Sequence, residues 1–146
     1  MTDTLIASRT PGHLLANLKA YLLSAGSTTL TGPVTVSADG SDPTGVGLPE
    51  ETVHAVSLAV DYQQPASPRS LYARLMVRCY VCLPDGATDY DALYTLAGDV
   101  AEALRRYPAT HGDVISCTTD SGPSVLFDGT RACAYQTLLL QIPTHE

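Results

Sequence analysis

The sequence contains no tryptophan, one phenylalanine and a single lysine among its 146 residues. Its 15 acidic and eight basic side chains give a formal net charge of −7. A protein that binds duplex nucleic acid needs a clustered field of lysine and arginine to meet the phosphates. Here the arginines are spread from Arg9 to Arg131. The composition therefore argues against a duplex nucleic acid as ligand.

Long hydrophobic runs are also missing. No stretch approaches the roughly 20 consecutive apolar residues that span a bilayer. The first residues, MTDTLIASRTPG, carry an acid at position 3 and lack the apolar core of a signal peptide. We therefore expect a protein made inside the cell, where thiols stay reduced. Hydrophobic residues at 45% and charged residues at 16% favour one globular domain over residues 1–146.

Four cysteines are present, and their spacing favours neither a metal site nor a redox pair. Cys79 and Cys82 lie three apart on a predicted strand, so their side chains point to opposite faces of the sheet. No second CxxC or HxxxH follows them, and the four histidines are scattered. We expect reduced thiols, no metal and no cofactor. The cysteines are Cys79, Cys82, Cys117 and Cys133.

Two segments have the apolar spacing of amphipathic helices. The first covers about 11–24, with Thr10 as a possible N-cap, Pro11 at the first helical position and Gly26 at the end. The second covers about 89–106, with Thr88 or Asp89 as the cap. The predicted buried stripes are Leu14, Leu15, Leu18 and Leu22 in the first helix, and Leu93, Leu96, Ala97, Val100 and Leu104 in the second.

Three segments before the second helix are predicted to be strands. GPVTVSA is a short run of β-branched residues, and its Pro33 favours a strand that begins at the edge of a sheet. Residues 53–62 and 71–82 alternate between apolar and polar faces, and QQPASPRS predicts a turn between them. We expect the two alternating strands to be antiparallel neighbours.

The strand at 71–82 predicts a candidate interface. Its odd-numbered positions from Leu71 to Val81 form an apolar face. The opposite face carries arginine and tyrosine, which are enriched at protein–protein interfaces. The simpler interpretation is a solvated face on which arginine stems lie over tyrosine rings. The candidate interface residues on this strand are Tyr72, Arg74, Arg78 and Tyr80.

The remaining chain, from about 114 to 142, predicts a hairpin. Asp128-Gly129 is a favoured two-residue turn and would place Val125 opposite Ala132 and Ser124 opposite Cys133. Cys117 would then lie about 23 Å along the strand from that pair, out of reach of a disulfide. DSGP, around Ser121, predicts a bend in the strand. The last strand is apolar on both faces near its end, so both should be covered, and Leu139 joins the candidate interface.

A serine nucleophile is the alternative interpretation of DSGP, which partly matches the GDSGGP of trypsin-like proteases. His111 and Asp113 lie nearby in sequence as candidate base and orienting acid. Asp, Ser, Gly and Pro together are nevertheless typical turn residues. A small intracellular thiol- or serine-dependent enzyme thus stays an alternative, while the favoured interpretation has no catalytic residues.

Residues 39–51, DGSDPTGVGLPEE, form a polar segment rich in Gly and Pro that predicts a mobile surface loop. Its functional interpretation is a loop that becomes ordered against a partner. The residues expected to make that contact are Asp42, Val46 and Leu48. Together these elements predict an α+β (α/β) fold, with a single mixed, mostly antiparallel sheet of four to five strands and two helices packed on it.

The order helix, strand, long polar loop, two alternating strands, helix and hairpin resembles the tail-terminator proteins of long-tailed bacteriophages, also called minor tail or tail-completion proteins. The stretches that carry the resemblance are LYARLMVRCYV, DYDALYTLAGDVAEALRR and DVISCTTDSGPSVLFDGTRACAYQTLLLQI. The first helix and the polar loop fit the same layout, so the likeness covers most of the chain. Another head–tail connector or neck (head-completion) protein would have a similar layout.

The resemblance implies a structural virion protein and no enzyme. Tail terminators form a hexameric ring on the last ring of tail-tube subunits, stop the tube growing and offer a docking surface to the neck of the head. DNA passes through the channel of such a ring without specific binding, which suits an acidic chain. The expected partners are other copies of the chain, the tail-tube protein and neck connectors. The expected location is the head-proximal end of the tail, after assembly in the host cytoplasm.

Overall fold

The computed structural model describes residues 10–26, 28–37, 53–67, 69–83, 89–128 and 131–143. A π-helical turn, Leu22–Gly26, extends the first helix, and a 3₁₀ turn, Tyr107–Ala109, follows the second. The predicted loop at 39–51, with Asp42, Val46 and Leu48, lies outside the described residues. The elements are α1 (Pro11–Tyr21), β1 (Val34–Ser37), β2 (Val53–Ser67), β3 (Ser70–Cys82), α2 (Tyr90–Arg106), β4 (Ser116–Asp128) and β5 (Arg131–Pro143).

The five described strands form one sheet in the order β1-β2-β3-β5-β4. Strand β1 runs parallel to β2, and every other neighbouring pair is antiparallel. The short β1, which starts directly after Pro33, lies at one edge, as its proline predicts. The predicted mixed, mostly antiparallel α+β sheet with two helices is therefore confirmed.

Both helices bury their apolar stripes on the same side of the sheet. Helix α1 contacts β1 and β2, while α2 contacts β3, β4 and β5. Every residue of the two predicted stripes is buried, as are Ala73, Leu75, Val77 and Cys79 along the apolar face of β3. Alternation at a period of two explains this, because each strand then gives one complete row of side chains to the helices. The main core is one cluster between the helices and this face.

The start of α1 differs from the prediction in one detail. Thr10 lies at the N-cap position, but its side chain makes no capping hydrogen bond. Its Oγ1 is instead 3.0 Å from Nδ1 of His13. The α-helix ends at Tyr21 and continues as the π-helical turn to Gly26, so the helical segment stops where the glycine predicts.

Helix α2 is capped as its sequence indicates. The Asp89 carboxylate accepts a hydrogen bond of 3.0 Å from the backbone N–H of Ala92. Asp91 lies in the first turn, and Arg105 and Arg106 lie in the last. Acids at the N-terminus and bases at the C-terminus both offset the helix dipole, so the ends of α2 are favoured electrostatically.

Asp99, in the middle of α2, fastens the chain segment that leaves α1. Its carboxylate accepts hydrogen bonds from the backbone N–H groups of Thr28 and Thr29, at 3.0 and 3.1 Å. The hydroxyls of the same threonines also donate to it, at 3.3 and 2.8 Å. Four donors on one ionised acceptor form a strong local network. It holds the start of the connection to β1 against α2.

One buried polar side chain joins α2 to the centre of the sheet. Gln136 points from β5 toward the helix and is buried. Its Nε2 donates to the backbone carbonyl of Ala97 at 2.9 Å. A buried amide without a partner would destabilise the fold, so this bond favours the observed placement of α2 over β5.

The connection between β2 and β3 is shorter than predicted. The sequence around Pro65 predicts a turn over residues 63–70, yet β2 continues to Ser67 and β3 begins at Ser70. Strand β1 pairs only with Val56–Ala59, so Pro65 lies beyond the part of β2 that has neighbours on both sides. The missing N–H of proline is tolerated there, and the register shifts on both sides of Pro65 absorb its shape.

The β4–β5 hairpin forms, but its register differs from the prediction by two positions. Val125 pairs with Ala134 and Ser124 with Tyr135, instead of with Ala132 and Cys133. A shift of two keeps every side chain on its predicted face, since faces alternate with a period of two. The predicted bend at DSGP is confirmed by register shifts on either side of Ser121.

Replacing Asp99 with alanine tests the network that fastens the α1–β1 connection. We expect Asp99→Ala to lower the free energy of unfolding by about 2–3 kcal/mol, because several charge-assisted hydrogen bonds are lost together. Urea denaturation measures the change. The control is Glu102→Ala in the same helix, whose ion pair with Arg106 is exposed and should change stability by less than about 1 kcal/mol. Equal, small effects for both variants would contradict the structural role of Asp99.

Replacing two glycines with alanine should change the free energy of unfolding in opposite directions. A Cβ added at Gly98, inside α2, meets nothing within 4 Å, so Gly98→Ala should raise the free energy of unfolding by about 0.5–1 kcal/mol. Gly122 has a φ of 87°, and a Cβ there would lie 2.6 Å from the Tyr135 carbonyl oxygen. Gly122→Ala should cost more than about 1–2 kcal/mol, because clash adds to left-handed strain. Denaturation midpoints moving in the same direction would refute one of the two descriptions.

Candidate functional site

The second side of the sheet is not covered by either described helix, and we call it the open face. The strand registers define its residues. Along each strand, these residues alternate with the ones that point to the helices, and the registers place them side by side on neighbouring strands. Four of the predicted interface residues lie on this face on the neighbouring strands β3 and β5: Tyr72, Arg74, Arg78 and Leu139. The exposed or partly exposed residues of this face include Asp61, Tyr72, Arg74, Met76, Arg78, Asp120, Ser121, Tyr135 and Leu139, whereas Ala55, Ser57, Ala59, Tyr80, Cys133 and Thr137 on the same side of the sheet are buried.

Arg74 lies in the middle of the open face. It pairs with Asp61 of β2 on one side and with Leu139 of β5 on the other. Its Nε is 3.8 Å from Oδ2 of Asp120, and the two side chains are 48% and 41% exposed. An exposed ion pair at that distance contributes little stability. The Arg74 guanidinium can therefore exchange this carboxylate for another acceptor at little free-energy cost.

Arg78 lies four residues beyond Arg74 along β3, on the same face of the sheet. Its guanidinium carbon is 5.4 Å from the ring centroid of Tyr135, its register partner on β5. At this distance the charged group and the aromatic ring make a cation–π contact. Arginine over tyrosine is thus present, as the simpler interpretation of the strand predicts, but the ring comes from β5 and is neither Tyr72 nor Tyr80.

The candidate interface residues of β3 and β5 are exposed to different degrees. Tyr72 is 40% exposed, and Leu139 is half-buried. Tyr80 is 0% exposed and packs in a small cluster with Ala55 and Cys133. The prediction that Tyr80 offers its side chain at the surface is therefore wrong. Alternation placed it on the correct face but could not show that its ring is enclosed there.

Only one face of β5 is covered by the described helices. Leu138, Leu140 and Ile142 point toward the helices and are buried. Leu139 points to the open face between Arg74 and Thr118. The sequence predicts that both faces of this strand are covered. In the described chain the second covering layer is absent at Leu139, which leaves an apolar side chain beside Arg74.

Ser121 belongs to a chain of hydroxyl groups on the open face. Its Oγ is 2.6 Å from Oγ1 of Thr137, which donates in turn to Asp120 Oδ2 at 3.0 Å. Since the threonine proton goes to the carboxylate, the serine hydroxyl donates to the threonine. A nucleophilic serine needs a base that accepts its proton, and a threonine hydroxyl is a poor one. The arrangement fixes the position of Asp120 near Arg74.

The proposed base and orienting acid for Ser121 have partners of their own. His111 stacks on Tyr107, with ring centroids 4.1 Å apart. Asp113 accepts hydrogen bonds from the Tyr107 hydroxyl at 2.9 Å and from Asn17 Nδ2 at 3.2 Å. These contacts follow the end of α2, whereas Ser121 contacts β5. The structure therefore does not bring the three side chains together as a triad.

A cavity of about 360 Å³ lies beside this second cluster. Tyr21 packs edge-on against both Tyr107 and His111. Burial, above all, raises the pKa of Tyr107, with its hydrogen bond to Asp113 as a further cause. Burial likewise raises the pKa of Tyr62, and the nearby charge of Asp113 adds to it. The cavity is lined by Asn17, Ala20, Tyr21, Ser24 and His111.

The cysteines with described side chains are all buried. Cys117 pairs with Leu140 and Cys133 with Leu126, so these two are far apart along the hairpin, as predicted. Burial raises the pKa of Cys79. It also raises the pKa of Cys117, to about 11, against an opposing effect of Arg105. The side chain of Cys82 lies outside the description, so its predicted state stays a prediction.

Two kinds of feature are not found within the described part of the chain. No group of three or more His, Cys, Asp or Glu side chains there is arranged to hold a metal ion. Among the described helices, none is long and apolar enough to cross a membrane.

Sequence reasoning missed two members of the open face. Tyr135 and Asp120 are the partners of Arg78 and Arg74, but neither was predicted as an interface residue. A signal for Tyr135 was present, because it shares the alternation of Leu139 on the last strand. Asp120 lies in the irregular DSGP segment, where alternation no longer assigns a face.

Comparison with protein-family models and with curated proteins gave no match for this chain. The candidate site therefore rests on its own geometry: two arginines, tyrosines and a half-buried leucine on a sheet face that the helices do not cover.

The buried thiol of Cys117 predicts how stability changes with pH. Its pKa is raised from 9.0 to about 11 in the folded chain, so the folded state disfavours the thiolate. Stability should be unaffected below pH 9 and fall between pH 9 and 11, where only the unfolded chain loses the proton. The loss should reach about 2–3 kcal/mol.

Urea denaturation across this pH range, with a reductant present, measures the fall. The free energy of unfolding of Cys117→Ala should fall less steeply with pH than that of the unchanged chain. Part of the fall remains, because burial also raises the pKa of Cys79, Tyr62 and Tyr107. Identical slopes for the two chains would contradict the burial of the Cys117 thiol.

Proposed function

We propose that this protein is a structural component of a bacteriophage virion that caps the tail tube. In this role, copies of the chain form a ring on the last ring of tube subunits, end polymerisation of the tube and provide the surface on which the neck of the head docks. The chain acts through binding surfaces and without catalysis.

The order of the elements supports this proposal. Helix, edge strand, antiparallel strand pair, helix and long hairpin occur in the order that resembles the tail terminators. The three stretches that carry the resemblance correspond to β3, α2 and the β4–β5 hairpin, which together form most of the sheet and its larger helix.

The observation that carries the proposal is the open face. A ring needs at least one surface that stays exposed in the single chain and is buried by the next copy. The part of the open face around Arg74 fits this need, since Tyr72 and Arg74 are exposed there beside the half-buried Leu139, and arginine and tyrosine often dominate interface energetics. The Arg78 guanidinium lies over the Tyr135 ring, which lowers the entropy that this side chain loses on binding, while the exposed ion pair of Arg74 with Asp120 is easily exchanged for a contact with a partner.

The net charge agrees with passage of DNA through the ring. At −7 per chain, a ring of several copies carries a large negative charge. Phosphates are repelled by such a field, so DNA can pass without being held.

Reversing the two arginines tests the role of the open face. Arg74→Glu/Arg78→Glu should abolish capping while leaving the chain folded, because Arg74 is exposed, Arg78 is only half-buried and neither belongs to the core, and both positions would now carry a negative charge. The assay adds the protein to polymerising tail-tube protein of the same virus and measures tube length by negative-stain electron microscopy. Circular dichroism verifies folding.

The matched control is Lys19→Glu/Arg106→Glu, which changes the net charge equally but alters the helix side of the molecule. It should cap like the unchanged chain. Tubes that keep growing in the presence of the unchanged chain would refute the proposed function. Normal capping by the double variant of the open face would refute the interface alone.

A further inference from the structure

Helix α2 carries two exposed tyrosines that lie outside the core cluster. Tyr90 and Tyr94 are 49% and 46% exposed and lie along one flank of the buried side of the helix. They lie four residues apart, and Gly98 follows four residues later, so the three align along one side of the helix. We call Tyr90, Asp91, Tyr94 and Gly98 the α2 ridge.

The described part of the chain leaves room for a side chain at Gly98. It lies in the interior of α2 with helical neighbours, and a Cβ there would meet nothing within 4 Å. Glycine at such a position destabilises a helix relative to alanine. A bare helix surface next to two tyrosines is, however, suited to close approach by another polypeptide, because no side chain holds the partner away at that point.

The charge of the α2 ridge is opposite to that of the arginines on the open face. The start of the helix carries Asp89 and Asp91, with no basic residue in its first turn. Its aromatic rings are also the kind of surface over which arginine lies within this chain, where Arg78 covers Tyr135 at 5.4 Å. An acidic, aromatic helix start and a face with Arg74 and Arg78 are complementary in charge and in contact chemistry.

We infer that the α2 ridge of one copy docks on the open face of the next copy. Arg74 and Arg78 then meet Asp91 and the two tyrosine rings, and the backbone at Gly98 approaches the sheet. The helices and the open face lie on opposite sides of the sheet, so one copy cannot satisfy both surfaces itself. Two different patches make a heterologous contact, which closes into a ring when the rotation between copies permits. The inference rests on the proposed ring.

Charge reversal with rescue tests the pairing. Asp91→Arg alone should weaken self-association, measured as the concentration needed for tube capping, by about tenfold or more. Arg74→Glu/Arg78→Glu should do the same or worse. The triple variant, which reverses both sides, should recover most of the lost association. Asp61→Arg, on the far side of Arg74 from β5, replaces Asp91→Arg in a control triple that should not recover it.

Site-directed cross-linking measures the contact itself. A mixture of Arg78→Cys and Tyr94→Cys chains, bound to tubes and oxidised, should give a cross-linked dimer. Neither variant alone should give it above the background of the unchanged chain. The chain with both changes should give a ladder of multimers, since each copy then links to two neighbours. Lys19→Cys mixed with Arg78→Cys is the negative control.

The outcomes separate this inference from the proposed function. Rescue together with the mixed dimer and the ladder supports the inference. A chain that caps tubes, without rescue and without the mixed dimer, overturns the inference and leaves the proposed function standing. A chain that neither self-associates nor caps tubes overturns both.

Discussion

Burial of one face of the sheet by both helices is the constraint on which the rest of the structure depends. The α1 stripe covers β1 and β2, and α2 covers the other three strands, so the apolar rows of the sheet form one core with them. Gln136 and Asp99 fix where the helices lie, through the carbonyl of Ala97 and the threonines after α1. Since the helices occupy only one side, Arg74 and Arg78 are left on the other. The proposed interface is thus a consequence of how the core is closed.

Most of this architecture follows from local sequence patterns. Alternation along β3 and the apolar stripes of both helices predict their elements because each pattern shows which side chains are buried. The acidic cap at Asp89 predicts where α2 begins. The same alternation places Tyr72, Arg74 and Leu139 on one face, so much of the candidate site is also predictable. The fold and the location of the site therefore come from the same physical signal.

The differences arise where the structure depends on the three-dimensional neighbour of a residue. Pro65 is accepted in a strand because β1 is too short to need its N–H, a fact set by the length of another element. The hairpin register depends on which residues form the turn. The Asp128-Gly129 signal predicted one register, and the strands adopt another that is shifted by two positions. Tyr80 packs with side chains of the adjacent strands, and Asp120 contacts Arg74 from the segment where the register of β4 shifts.

The most direct measurement is a cryo-electron-microscopy map of the head-proximal end of tail tubes assembled with this protein. A ring of copies should be present on the last ring of the tube, with each sheet presenting its helix-free side, around Arg74 and Leu139, to the adjacent copy. A tube end without this protein, or a ring in which that side of every sheet faces solvent, would contradict the assignment of the open face as the assembly surface.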